Sequence, residues 1–222
     1  MQRIPRRIRS GPPSCAGWTL LELLAVAAVI AILVALALPL VPRMVEQGHR
    51  AASLNNLRQL GTGIFLYASD HNQDLPGRTL SGPKWPALVH EYLQDERVFA
   101  SPGDPENWIR READPLSNAR NETSYILNGY NDLGAFEDET VVVKMNRVER
   151  PAEVILLGTP RPASGHFYMD MLEGAGNHND VLNLTAYGNG SNYLFADGSA
   201  RFLDAAAYRH ELWLINREFS IP

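Results

Sequence analysis

From Leu23 to Val41 the chain runs for 19 residues without a formal charge. No other feature restricts its folding as strongly. As an α-helix, at about 1.5 Å per residue, this run approaches the ~30 Å hydrocarbon core of a bilayer. It carries no polar stripe, so its surface suits lipid better than the outside of a globular protein. One acid, Glu22, stands at its front edge. An unpaired carboxylate in the first turns of a span costs roughly 3 kcal/mol, so Glu22 needs a partner. Arg3, Arg6, Arg7 and Arg9 precede the run with no acid among the first 17 residues. No matching basic cluster follows it, which places the N-terminus in the cytoplasm and the remainder across the membrane. A secretory signal would have a shorter apolar core and a small-x-small cleavage site, and "PLVPRMVEQGHRAAS" offers none.

The local sequence supplies Glu22 with a partner only if the chain is cut. Cleavage between Gly17 and Trp18 would create a free amine four residues ahead of the carboxylate. "AGWTLLELL" resembles the processing site of type IV prepilins and type II secretion pseudopilins. That site has a glycine before the cut, a bulky apolar residue after it, then Thr-Leu-Leu-Glu-Leu. Tryptophan stands here where phenylalanine is usual. The resemblance implies that a prepilin peptidase cuts after Gly17 and methylates the new terminus at Trp18. It implies that Glu22 neutralises the terminal amine of a neighbouring subunit during assembly. Pro39 matches a position where such helices carry proline.

The chain has 222 residues and a formal net charge of -5, with no basic aromatic stripe beyond Pro42. That balance argues against nucleic acid as a partner. The one cysteine, Cys15, precedes the apolar run, which excludes a disulfide framework and does not fit a lipoprotein anchor.

After the span, Leu54, Leu57, Leu60 and Ile64 keep a helical period, with Phe65 and Ala68 beside them and Asn55, Asn56, Arg58 and Gln59 mostly opposite. The pattern stops at the breaker cluster "DHNQDLPG". One long helix is therefore expected from Trp18 to about Ser69, with Pro39, Pro42 and Gly48 as kinks or soft points. "KWPALVHEYL" predicts a short amphipathic helix. "ETSYILNGYN", "ETVVVKMNRV" and "ERPAEVILLGTP" predict strands. "NYLFADGSARFL" predicts a hairpin, with Asp197-Gly198 suited to a type I′ turn. The tail around Trp213 predicts a terminal helix or strand that docks this indole. The fold class is thus α+β, with a long N-terminal helix on a small antiparallel sheet. The pilin resemblance implies the same architecture. The segments are a basic leader at 1–17, a span at 18–41, its amphipathic continuation at 42–69, and a head at 70–222.

A second resemblance covers most of the head. "SLNNLRQLGTGIFLYASDHNQDLPG", "VFASPGDP", "SYILNGY", "RPAEVILLG" and "NYLFADGSARFL" occur in an order similar to the prepilin-like proteins of planctomycetes, verrucomicrobia and relatives that end in an H-x9-D-G motif. Ser101-Pro102 stands where that pattern has Cys-Pro. His178 precedes Asp197-Gly198 by 18 intervening residues instead of nine, with "VLNLTAYGNG" as an insertion.

Chemistry-bearing patterns are sparse. His178, Asp180 and Asp197 would suit a small oxygen-rich metal site, and the pseudopilin resemblance adds calcium as its ion. The spacing fits no EF-hand loop, and ordinary turn chemistry explains the same residues. His166, His178 and His210 lack zinc-ligand spacing. There is no G-x-S-x-G, and "GNGSN" (188–192) is followed by no P-loop lysine, which leaves it as a mobile loop. No enzymatic activity is expected.

The leading expectation is a pilin-like structural subunit in the bacterial inner membrane, its N-terminus cytoplasmic and its head periplasmic. The resemblance implies as partners a prepilin peptidase, other pilin-like subunits, an assembly ATPase and an inner-membrane platform protein. The alternative is an uncleaved membrane-anchored periplasmic binding module.

Overall fold

The computed structural model describes residues 17–78, 82–104, 123–129, 143–162, 166–169 and 175–215. It divides into two compact units, Met1–Arg43 and Met44–Pro222.

Helical residues run from Leu20 to Asp70. Helix α1 (Leu20–Ala37) belongs to the first unit, and none of its 18 residues is buried. A single 3₁₀ turn, Leu38–Leu40, contains Pro39 and separates α1 from α2 (Val41–Asp70). Proline has no N–H and crowds the preceding turn, so the tighter turn falls where the sequence places it. Pro42 and Gly48 lie within α2 without ending it.

In the second unit, α2 buries the face read from its periodicity. Leu57, Leu60, Ile64 and Ala68 are fully buried, with Leu54 and Phe65 packed beside them. The face also includes Ser53, Gly61 and Gly63. Helix α3 (Trp85–Val89) buries Trp85 and Val89 against the same core.

The sheet comprises β1 (Ile126–Asn128), β2 (Ile155–Gly158), β3 (Tyr168–Met169), β4 (Gly190–Phe195) and β5 (Ala200–Asp204), in spatial order β3-β1-β2-β4-β5. It is mixed, which corrects the antiparallel expectation. β1 and β3 run parallel, with Leu127 opposite Tyr168 and Asn128 opposite Met169. β3 lies on the side of β1 away from β2, and both β1 and β3 run opposite to β2.

The sheet separates two cores. Leu127, Leu156, Leu157, Leu194 and Ala196 face the α2 side. Ile126, Ile155, Tyr193 and Phe195 face the other side, with Val181, Leu182 and Trp213. Leu156 and Leu157 share one core despite being adjacent, because the β2–β4 register shifts between Ile155 and Leu157. Burial of both faces explains why these strands read as nearly continuous apolar runs. Asn128 ties the second core together by donating to the carbonyls of Ile155 and Trp213, each at 2.8 Å.

Four further expectations need correction. The β4–β5 turn is not type I′. Gly198 has φ +83°, but Asp197 is not in the left-handed region. Gly198 N–H donates to Phe195 O at 2.9 Å, and Phe195 N–H donates to Ser199 O at 2.9 Å. This is a three-residue loop ending on a left-handed glycine. A Cβ at Gly198 would lie 2.8 Å from Cε2 of Phe65, so the glycine answers to space as well as conformation. The strand expected over 139–148 falls partly outside the described residues. Within them, Lys144 forms an isolated bridge to Asp74 and Met145–Arg147 form a 3₁₀ turn, because this segment pairs with the end of α2 and not with the sheet. The tail forms a 3₁₀ turn, His210–Trp213, with Trp213 fully buried as expected. The "GNGSN" stretch is ordered: Tyr187 N–H donates to Gly190 O at 2.9 Å, and Gly190 opens β4.

Candidate processing and assembly site

Gly17, Trp18 and Thr19 precede α1 in non-helical backbone. Thr19 is the N-cap, with extended φ -82° and ψ 152°. Trp18 is 71% exposed. The Gly17–Trp18 bond therefore lies in accessible chain just ahead of a helix. Among the described residues nothing lies within 4 Å of a Cβ built on Gly17, and its φ is outside the left-handed region. Neither packing nor backbone conformation demands glycine there.

Glu22 has partners within its own chain. The Thr19 hydroxyl accepts from the Glu22 N–H at 3.2 Å. The Glu22 carboxylate accepts from the Thr19 N–H and from its hydroxyl, both at 2.9 Å. These contacts form a reciprocal capping box, which satisfies two amides that a helix start leaves open. This corrects the expectation that only a cut chain offers Glu22 a partner. Thr19 was the missed residue, and its signal was the T-x-x-E spacing itself. A cut before Trp18 leaves every atom of the box in place, since Thr19 would still follow a peptide bond.

Beyond the cap, every described residue from 17 to 48 is exposed, including Leu20, Leu21, Leu24, Ile30 and Leu33. The helix is long and apolar enough to cross a membrane. Pro39 sits in the 3₁₀ turn that follows α1, not near the cap, so the structure does not bring it to Glu22.

The candidate metal ligands on the head do not converge. Among the described residues, no three His, Cys, Asp or Glu side chains could hold a metal ion together. His178, on α4 (Ala175–Val181), is 2% exposed, and its Nδ1 lies 2.8 Å from the Tyr208 hydroxyl. Burial, and then the nearby His210 ring, push its pKa down to about 4, with Glu211 opposing. It is a neutral core histidine, and its Nε2 has no hydrogen-bond partner. Asp180, two residues on, is exposed. Asp197 holds the hairpin loop instead, accepting from the Ser199 N–H at 2.9 Å and its hydroxyl at 2.6 Å. These bonds hold its carboxyl below the usual range, against the opposing effect of burial. Asp197 and Gly198 thus keep the structural turn role read from the sequence.

Ser101 is buried, with its hydroxyl 2.6 Å from that of Tyr187 and its N–H donating to Ser124 Oγ at 2.8 Å. Burial raises the Tyr187 pKa. Beside this pair, Asp104, Thr159 and Asn183 line a cavity of about 50 Å³, a volume suited to ordered water. A wider groove of about 510 Å³ runs between Asn55, Asn56 and Gln59 of α2 and the Asp95–Asp104 stretch.

Comparison with protein-family models, with curated proteins and with solved structures finds no match to this chain.

Proposed function

We propose that this chain is a pilin-like structural subunit of the type II secretion or type IV pilus kind. In this reading it enters the inner membrane with its arginine leader in the cytoplasm and its head in the periplasm. A prepilin peptidase cuts after Gly17 and methylates Trp18. An assembly ATPase and a platform protein then move the subunit into a filament, where apolar helices pack on one another in place of lipid. The head carries recognition and no catalysis.

The observation that carries the reading is the junction at 17–22. A glycine that the fold does not require stands next to an exposed bond, directly before a capped helix with no buried residue. Peptidase specificity accounts for the glycine, and filament packing accounts for the apolar surface. The cut would place a cationic amine beside the positive end of the helix dipole, which is unfavourable by about 0.3–1 kcal/mol at an exposed site. Glu22 offsets that charge, and the amine it meets in a filament is that of a neighbouring subunit.

Co-expression with a prepilin peptidase, followed by N-terminal sequencing, tests the reading. The expected start is N-methyl-Trp18. An intact Met1 terminus on the membrane form would overturn it. Gly17→Val should abolish the cut without changing the head's melting temperature. Glu22→Ala and Thr19→Ala separate the two roles of the acid. If charge pairing drives assembly, Thr19→Ala still assembles and Glu22→Ala does not.

The capping box favours a second reading, because it gives Glu22 a use with no cut at all. The chain would then be an uncleaved membrane-anchored periplasmic binding module. The groove beside Asn55, Asn56 and Gln59 would be its grip on a ligand.

A further inference from the structure

Just past the end of α2 the chain carries two successive left-handed residues. Asn72 and Gln73 have φ of 62° and 68°, and no other described non-glycine residue has a positive φ. Left-handed backbone is unfavourable for a residue with a Cβ, and two in succession persist only where surrounding bonds over-determine them. Gln73 N–H caps the helix by donating to Ala68 O at 2.7 Å. Asp74 N–H donates to His71 O at 2.9 Å and closes the turn over the pair, and the remaining restraints come from about 70 residues away in sequence. Met145 N–H donates to Gln73 O at 2.7 Å, and Leu75 N–H donates to Val143 O at 2.9 Å. Between these two bonds the Lys144 ammonium donates to Asn72 O at 3.0 Å and to Asp74 Oδ1 at 2.7 Å.

The ammonium is the only charged donor in this clasp among these contacts. It touches both a carbonyl of the left-handed pair and the carboxylate that follows it, so one group holds the strained residues and their anchor together. Charge-assisted bonds of this kind are stronger than the neutral backbone bonds on either side.

We propose that Lys144 is an electrostatic latch: it keeps the end of α2 in a strained, clasped state that opens locally when the ammonium is lost. Opening frees 72–75 from 143–145, lets Asn72 and Gln73 relax to ordinary backbone, and leaves the sheet intact. The latch lies wholly within the head and does not depend on how the N-terminus is processed.

Hydrogen–deuterium exchange on the full chain in detergent micelles tests this. In Lys144→Met, peptides carrying the Leu75 and Met145 amides should exchange several-fold faster, the factor expected for losing a partly exposed charge-assisted pair. Peptides from β4 should not change. Lys144→Arg, which keeps the charge, should stay near the parent. Adding Asn72→Gly and Gln73→Gly to Lys144→Met should restore most of the protection, because glycine adopts the left-handed conformation without strain. Unchanged exchange in Lys144→Met would overturn the latch. So would a glycine double substitution that gives no recovery. Loss of β4 protection together with the clasp would also overturn it, since the segment would then not open as a separate unit.

Discussion

Helices α1 and α2 follow each other with one 3₁₀ turn between them, yet they meet different surroundings. In α1 no side chain is buried. In α2, seven positions from Ser53 to Ala68 are buried, on one face. The difference is not in helix propensity, since leucine and alanine are frequent in both. It lies in periodicity. An apolar surface on every side leaves nothing for the chain's own sheet to select, whereas a stripe at Leu57, Leu60 and Ile64 fits a single sheet face. The stripe in α2 is thus part of the head's core, and α1 shows no such one-sided selection.

The comparison can be broken most directly by equal truncations in the two helices. Leu60→Ala should destabilise the head by about 2–5 kcal/mol, as cavity-forming substitutions do. Ile30→Ala should leave it within about 0.5 kcal/mol of the parent. Denaturant unfolding of the full chain in micelles, followed by Trp85 and Trp213 fluorescence, compares them. A similar loss from both would overturn the contrast between the stripe and the span.

A second test addresses the core on the far side of the sheet. In the unfolded chain His178 titrates near its ordinary 6.5, and in the folded chain near 4. Between these values the unfolded state binds a proton that the folded state refuses. The head should therefore be most stable above pH 6.5 and lose up to about 3 kcal/mol as the pH falls towards 4. Thermal melts across this range should show the slope, and His178→Gln should flatten it.

The smallest effect is expected at the start of α1. Thr19→Ala removes one half of the capping box and should cost about 1 kcal/mol. The loss should be confined to the first turn and seen as faster amide exchange at Leu21 and Glu22. Thr19→Ser should retain most of the protection.

The contrast between the two helices was legible in the sequence, because hydrophobic period reports burial directly. So were β1, β2 and the β4–β5 hairpin, each of which holds a short run of Ile, Leu, Tyr or Phe beside turn residues. What escaped depended on partners distant in the chain. The parallel pairing of β3 joins segments about 40 residues apart, and a two-residue strand carries too little pattern to reveal it. The strand expected around Lys144 yields to the end of α2, which its alternation could not announce. The hairpin loop was misread because Asp-Gly suits both a two-residue loop and a three-residue loop that starts one position earlier, at Ala196. At the candidate site, Glu22 was read as needing a partner beyond its own turn, although Thr19 stood three residues away.

The contact between Gly198 and Phe65 has a consequence for how such a chain can change length. The hairpin tip meets α2 at one ring, through a residue that tolerates no side chain on grounds of both space and backbone. One residue inserted into α2 before Phe65 would turn that ring by about 100° and advance it by about 1.5 Å. The tip would then face a different side chain, out of step with the stripe that precedes Phe65. Insertions and deletions in this part of the helix are therefore tolerated only in near-whole numbers of turns. Sequences that diverge from this one should keep the helical spacing between the stripe and Phe65 more faithfully than they keep the residues of the span.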